Sequence, residues 1–184
     1  GWDINLSSFI EDAYPAGGGA LSLYTGERFT VDGVESISEK KLDSFHFHKD
    51  GDGLYRVEHK DTPLTEVLQP VNIGTRKLML PKKIYADSRR CLEFVYRDNP
   101  QLPGTPCLSE VFDSGVGGGR PARLLLIEYS GDMVITLYPD QPEARASYTL
   151  KFNGRRLERV VLPTDELAYW EFSYQQVHGQ TCVS

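Results

Sequence analysis

The chain has 184 residues, a formal net charge of −6 and a hydrophobic content of 40%. This length fits one domain, residues 1–184, with a sizeable core, and the composition excludes a disordered or fibrous chain. The acidic balance argues against nucleic acid as a partner, and no apolar run reaches the roughly 20 residues of a transmembrane helix.

The first segment of the chain predicts one short helix. Ser8 and Glu11 have the spacing of a capping box, and Pro15 with the glycines at 17–19 would end the helix. After it, alternating apolar residues on either side of a turn at 25–26 predict two short strands. Alternation and frequent turns then continue through most of the chain.

The stretch FHFHKDGDGLYRVEH, residues 45–59, contains three of the four histidines. Because side chains alternate along a strand, its two phenylalanines share one face, and His46 and His48 share the other. After a glycine-rich turn, Tyr55 and Val57 can meet the phenylalanines across the pair of strands. The stretch therefore predicts a β-hairpin with one apolar and one polar face.

The histidines of this hairpin also invite comparison with metal sites. A calcium-binding EF-hand loop needs oxygen ligands, but in the best alignment His48 and His59 fall at its first and last ligand positions. For zinc, His46 and His48 lie on one face, whereas His59 falls on the apolar face and cannot join them without displacement. The sequence therefore predicts neither a metal nor another cofactor.

Residues 98–121 connect two predicted strands and are rich in proline and glycine. Since proline cannot donate to a β-ladder, this segment predicts a long loop. Two hairpins follow at 124–138 and 148–162, and an aromatic strand near 168–174 completes the sheet. Alternation in these hairpins predicts a core that includes Leu125, Ile127, Val134, Leu137, Leu150 and Phe152.

These elements together predict a mainly β fold. Short strands separated by turns every about 8–12 residues are typical of antiparallel sandwiches and barrels. We therefore expect a single-domain antiparallel β-sandwich or open barrel with a short N-terminal helix and long Pro/Gly loops. No segment of the sequence has the composition of a linker that divides the chain.

The three cysteines have no metal-binding or redox-motif spacing. Cys107 lies between prolines in the predicted loop, and Cys182 lies near the C-terminus, so a disulfide between them would anchor two segments. We expect this disulfide if the protein is exported, as a periplasmic or secreted protein. The chain begins without methionine, which fits a mature chain after removal of a leader, and a cytoplasmic location stays open.

No motif for nucleophilic catalysis is present. The sequence lacks a Gly-x-Ser-x-Gly elbow, and no cysteine has the surroundings of a cysteine-protease nucleophile. A non-catalytic protein is therefore favoured over an enzyme. The enzymatic alternative is a hydrolase, or a metal-dependent enzyme that uses His46 and His48.

The sequence instead favours a protein that binds another protein. Glu110, Phe112 and Asp113 combine acidic and apolar side chains in the predicted loop, and Tyr169 supplies an exposed ring. Acidic residues of this kind would steer a basic partner. We expect an exported inhibitor, immunity or accessory protein, with a structural subunit of a surface assembly as an alternative. The oligomeric state is left open.

Overall fold

The computed structural model describes residues 5–32, 36–38, 43–73, 76–87, 90–99, 102–115, 121–154, 156–164, 168–177 and 180–183. These ranges contain seventeen strands and no helix, which confirms the mainly β fold. The strands are β1 Ser8–Ile10, β2 Gly19–Ser22, β3 Arg28–Asp32, β4 Ser36–Ser38, β5 Phe45–Lys49, β6 Tyr55–His59, β7 Thr65–Ile73, β8 Arg76–Asp87, β9 Arg90–Asn99, β10 Leu102–Asp113, β11 Ala122–Ser130, β12 Asp132–Leu137, β13 Ala146–Asn153, β14 Arg156–Val161, β15 Tyr169–Glu171, β16 Tyr174–Val177 and β17 Gln180–Val183.

The predicted N-terminal helix is wrong, because this segment forms strand β1. Phe9 of β1 is opposite Leu21 of β2 and Met79 of β8, and all three side chains are buried. Burial of Phe9 thus outweighs the local capping signal. Glu11, the expected capping residue, instead accepts a 2.6 Å hydrogen bond from the Tyr55 hydroxyl.

Fifteen of the strands form one continuous antiparallel sheet. The main order is β15–β14–β13–β12–β11–β10–β9–β8–β1–β2–β3–β4, and β7, β6 and β5 extend from the other edge of β8. Strands β16 and β17 pair separately. Among the described residues, this sheet does not close into a barrel.

The sheet divides at β8. Near its C-terminal end, from Lys83 to Asp87, β8 pairs with β9. Nearer its start, at Leu78 and Met79, β8 pairs with β1 instead, while β7 follows the opposite edge along almost the whole strand. Strand β9 therefore diverges from β8, and β1 takes its place.

The predicted hairpin at residues 45–59 is confirmed as β5 and β6. Phe47 is opposite Val57, and His46 is opposite Glu58, so the apolar and polar faces are those expected. Phe45 is fully buried, and its ring meets that of Phe29 at a centroid distance of 5.1 Å. The hairpin thus supplies one wall of an N-terminal core.

Two separate hydrophobic clusters lie on either side of the division. The N-terminal cluster is formed by residues of β1 to β8 and includes Phe9, Leu21, Phe45, Val57, Leu68 and Met79. The C-terminal cluster has a smaller buried part, which consists of Phe94, Leu108, Val111 and Ile127. Most of its other members are only half-buried.

The residues predicted for the C-terminal core fall into this partly buried region. Of the six, only Ile127 is buried, at 4% exposure, and the other five are half-buried. Leu125 and Leu137 are paired and share the face of Ile127. Val134 lies on the opposite face, because its neighbours Met133 and Ile135 point toward the cluster.

The long loop predicted at 98–121 is wrong over residues 102–113, which form strand β10. Pro106 lies next to an irregularity in the pairing of β10 with β9, where the register shifts between Leu102 and Pro106. Irregularities of this kind allow proline inside a sheet. The glycine-rich residues 116–120 lie outside the described residues.

The predicted disulfide is absent from the structure, where all three cysteines are free. Cys107 lies within β10, opposite Arg97 of β9. Cys182 lies on β17, which pairs only with β16 among the described strands. The two cysteines therefore belong to separate sheets. The described residues also contain no helix of the length and apolarity needed to cross a membrane.

Candidate ligand-binding cavity

An apolar cavity of about 750 Å³ lies where β9 diverges from β8. Leu6, Leu78 and Leu80 contribute to it from β8 and the segment at β1. Apart from Ser8 of β1, the rest of the lining comes from β9 to β15 and the residue that follows β15. It includes Ile127, Met133, Ile135, Leu150, Leu157 and Val160. The half-buried face of the C-terminal strands is therefore the wall of a cavity.

Strand register explains how this wall forms. Tyr129 is opposite Met133, Met133 is opposite Leu150, and Leu150 is opposite Val160. Val160 in turn is opposite Trp170. Since directly paired residues project to the same side of a sheet, these five side chains form one continuous row across five strands.

The interior of the cavity carries no charged side chain. The eighteen residues that line it include no Asp, Glu, Lys, Arg or His. The hydroxyl of Tyr96 donates to the Pro81 carbonyl, and that of Tyr129 donates to the Leu108 carbonyl, each at 3.0 Å. Burial raises the pKa of Tyr96, and it raises the pKa of Tyr129 to about 12. Both hydroxyl groups are therefore protonated and uncharged at neutral pH.

Trp170 lies at the rim of the cavity and is 61% exposed. It belongs to β15, the last strand at that end of the main sheet. A hydrogen bond from the Phe172 amide to the Glu158 carbonyl, 2.8 Å long, holds the chain beside β14 after β15 ends. The rim therefore presents a large aromatic ring to the solvent.

A second, polar cleft of about 600 Å³ adjoins the apolar cavity. Tyr96 and Pro106 line both spaces, so they form the boundary between them. The polar side of the cleft is supplied by β7 and β9, and consists of Gln69, Asn72, Arg97 and Asp98. An apolar and a polar compartment thus share two lining residues.

Glu110, predicted from sequence as a binding residue, is buried at 6% exposure. One of its carboxylate oxygens pairs with Arg97, and the other lies 3.2 Å from Arg123 Nη1. Arg123 also pairs with Asp140 at 2.6 Å, and this contact is the main cause of the raised pKa of Arg123. Direct contact of Glu110 with a partner would require these ion pairs to open.

Reversal of charge at Glu110 is therefore expected to destabilise the fold. In Glu110→Lys, a cation would lie at a buried position and face two arginines, and a buried charge without an opposite partner costs about 3–5 kcal/mol. Asp113→Lys is the matched control, because Asp113 is exposed on the same strand, and we expect a change within about 0.5 kcal/mol. Urea unfolding measures both free energies. Equal, small effects would show that the Glu110 ion pairs contribute little.

The other predicted binding residues are not brought together. Phe112 is half-buried on β10 and lies opposite Arg123 of β11. Tyr169 is 46% exposed on β15, five strands away in the sheet, and its ring lies 4.1 Å from the Arg159 guanidinium. Phe112 and Asp113 thus belong to one surface region, and Tyr169 belongs to another.

The histidines of the β5–β6 hairpin have ordinary polar partners. His48 Nε2 lies 3.5 Å from Asp50 Oδ1, and His46 is exposed. Within the described ranges, no three His, Cys, Asp or Glu side chains are grouped as ligands of a metal ion. His59, on the apolar face as predicted, is mostly buried beside Glu66.

A buried polar network surrounds Glu66, which is fully buried. Its Oε1 atom accepts a 2.7 Å hydrogen bond from Ser7 Oγ and lies 2.9 Å from His59 Nε2. A nucleophilic serine needs a histidine as its direct base, whereas here the carboxylate lies between the two. The arrangement therefore connects β6, β7 and the segment before β1, and has no triad geometry.

The sequence matches no protein-family model, no curated protein and no solved structure. A functional conclusion must therefore come from the chemistry of the described residues. Their most distinctive feature is the pair of adjoining spaces, one apolar and one polar, at the division of the sheet.

Proposed function

We propose that the protein is a non-catalytic binding protein that holds the aliphatic part of a ligand in the apolar cavity. The observation that carries the proposal is the uncharged lining of a cavity of about 750 Å³. Ligand sites in proteins are typically about 300–1,000 Å³ and mostly apolar. The cavity thus has the size and chemistry of a site for one apolar molecule or chain.

The hydrogen bonding of the lining also favours an aliphatic occupant. Tyr96 and Tyr129 already donate their hydroxyl hydrogens to backbone carbonyls. An alkyl chain that displaces water from the cavity therefore leaves neither donor unpaired, and avoids the cost of an unsatisfied buried group. Burial of the chain itself contributes about 25 cal/mol per Å² of apolar surface.

Binding of the neutral fluorophore N-phenyl-1-naphthylamine tests this proposal. Its fluorescence should rise in the presence of the protein, and dodecane-based ligands should displace it. Ile135→Trp replaces an aliphatic side chain with a larger indole ring that fills part of the cavity, and it should weaken binding by about tenfold or more. Val134→Trp is the matched control, because Val134 is adjacent on β12 but absent from the lining.

Both variants must first be shown to remain folded by their circular dichroism and unfolding transitions. Loss of binding in Ile135→Trp with retention in Val134→Trp supports the cavity as the site. Absence of binding to the unmodified protein, or equal binding by both folded variants, would overturn the proposal.

A second candidate function is the binding of a protein partner by the rim of the cavity. Tyr169 and Trp170 are both exposed on β15, which ends the main sheet. Exposed aromatic rings favour protein interfaces, and an edge strand can pair with a strand of another chain. An exported inhibitor, immunity, accessory or surface-assembly protein belongs to this proposal, whereas a role for Phe112 and Asp113 would require a second contact in a different surface region.

Affinity purification from the native source, followed by mass spectrometry, tests this second candidate. The wild-type chain and the Tyr169→Ser variant should be compared. Because Tyr169 is exposed, the substitution removes a ring of the proposed interface and leaves the core intact. A protein recovered only with the wild type supports the interface. Identical recoveries would contradict a role for this rim.

A further inference from the structure

We infer that the ligand is an amphiphile with an aliphatic chain and a polar head group that is not anionic. The inference rests on the proposed function, since it assigns the chain to the apolar cavity. It adds that the head group occupies the adjoining polar cleft between β7, β9 and β10.

The shared boundary is the first observation behind this inference. Tyr96 and Pro106 line both the apolar cavity and the polar cleft. A molecule that passes this boundary therefore moves from an uncharged lining to one with charged and amide side chains. Only a ligand with both an apolar and a polar end satisfies the two compartments at once.

The charges of the cleft are the second observation. Arg97 and Asp98 contribute one positive and one negative charge, and Gln69 and Asn72 contribute uncharged donors and acceptors. Arg97 also pairs with the buried Glu110, which offsets part of its attraction for an anion. The cleft thus contains no excess of positive charge for an anionic head group.

The whole chain adds to this preference against anions. Its formal net charge of −6 repels an anionic amphiphile as it approaches. A cationic head group avoids this penalty, because Asp98 lines the cleft and Arg97 is already paired with Glu110. A zwitterionic or hydroxyl-rich head group avoids it as well and can use the amides of Gln69 and Asn72.

A series of ligands with the same dodecyl chain tests the inference below their micelle-forming concentrations. The probes are dodecylphosphocholine, dodecyl maltoside, dodecyl sulfate and dodecyltrimethylammonium, each measured by displacement of N-phenyl-1-naphthylamine. We expect dodecyl sulfate to bind roughly tenfold more weakly than the tightest of the other three ligands. Equal affinities of the four ligands, or tightest binding of dodecyl sulfate, would overturn the inference.

Two variants of the cleft locate the head group. Asn72→Ala and Asp98→Asn should weaken binding of the tightest dodecyl ligand by about three- to tenfold and leave the naphthylamine affinity unchanged. Asp52→Asn is the control, because Asp52 lies in the turn between β5 and β6 and lines neither space. Unchanged affinity in both cleft variants overturns the assignment of the head group.

The two proposals fail in different ways. If the naphthylamine probe binds but the head group has no effect, the apolar cavity remains the site and only the further inference fails. If neither the probe nor any dodecyl ligand binds, the proposed function itself fails.

Discussion

Replacement of Phe45 with alanine is expected to lower the free energy of unfolding by about 3–5 kcal/mol. Phe45 is fully buried, and its ring meets Phe29 of β3 as well as residues of its own hairpin. The substitution therefore leaves a cavity where β3 and β5 meet. Urea unfolding, monitored by circular dichroism, measures the change.

His46→Ala is the control for this prediction, because His46 is exposed and adjacent on β5. We expect it to change the free energy of unfolding by no more than about 0.5 kcal/mol. If Phe45→Ala lowers the free energy of unfolding as little as His46→Ala does, the N-terminal cluster does not hold the fold together.

Replacement of His59 with alanine is expected to lower the free energy of unfolding by about 1–3 kcal/mol, because it removes a hydrogen-bond partner of a buried carboxyl group. The variant leaves the fully buried carboxylate of Glu66 with Ser7 as its remaining partner in the network. The other carboxylate oxygen, Oε2, already lacks a hydrogen-bond partner among the described residues. The buried Glu66 side chain thus loses one of its two partners in the network.

His48→Ala is the matched comparison, since His48 also lies beside a carboxylate but is 38% exposed. Exposed ion pairs contribute about 0–1 kcal/mol, so this variant should be almost neutral. Chemical unfolding of both variants at one pH gives the comparison. If His59→Ala is as mild as His48→Ala, the buried network is not a major source of stability.

Local alternation allowed part of the fold to be predicted. In the hairpin at 45–59, the apolar residues follow a strict two-residue period, and the structure confirms both faces. The same period identified the meander formed by β11 to β14. Strands that are adjacent in the sequence pair through residues that lie close together in the chain, so a single sequence is enough to predict their pairing.

Elements that depend on distant contacts were predicted less well. The segment at Ser8 carries a helix-capping pattern, but Phe9 is buried between β2 and β8, and β8 is far along the chain. Residues 102–113 contain two prolines, but irregular pairing with β9 accommodates Pro106 within a strand. Sequence patterns do not show these long-range partners.

The cavity could not be predicted for a related reason. Ile127, Leu137 and Leu150 have the alternation of core residues, and they do share one face. Whether that face packs against other side chains or lines a space depends on the divergence of β9 from β8, which no local pattern records. Glu110 was likewise assigned to the surface because Arg97 and Arg123, its partners, come from β9 and β11.

Two regions of the sheet have different degrees of burial. Among the described residues, the N-terminal cluster contains ten buried side chains, whereas the C-terminal cluster contains four and borders the cavity. Large buried side chains account for most hydrophobic stabilisation. We therefore expect the N-terminal region to stabilise the fold, while the C-terminal strands leave space for a ligand.

Methyl NMR of the isoleucines tests the central claim most directly. Ile127 and Ile135 line the cavity, whereas Ile37 packs against the N-terminal cluster. Saturation with N-phenyl-1-naphthylamine should shift the methyl signals of Ile127 and Ile135 and leave that of Ile37 unchanged. Binding of the probe without any shift at Ile127 and Ile135 would contradict the assignment of the cavity as the ligand site.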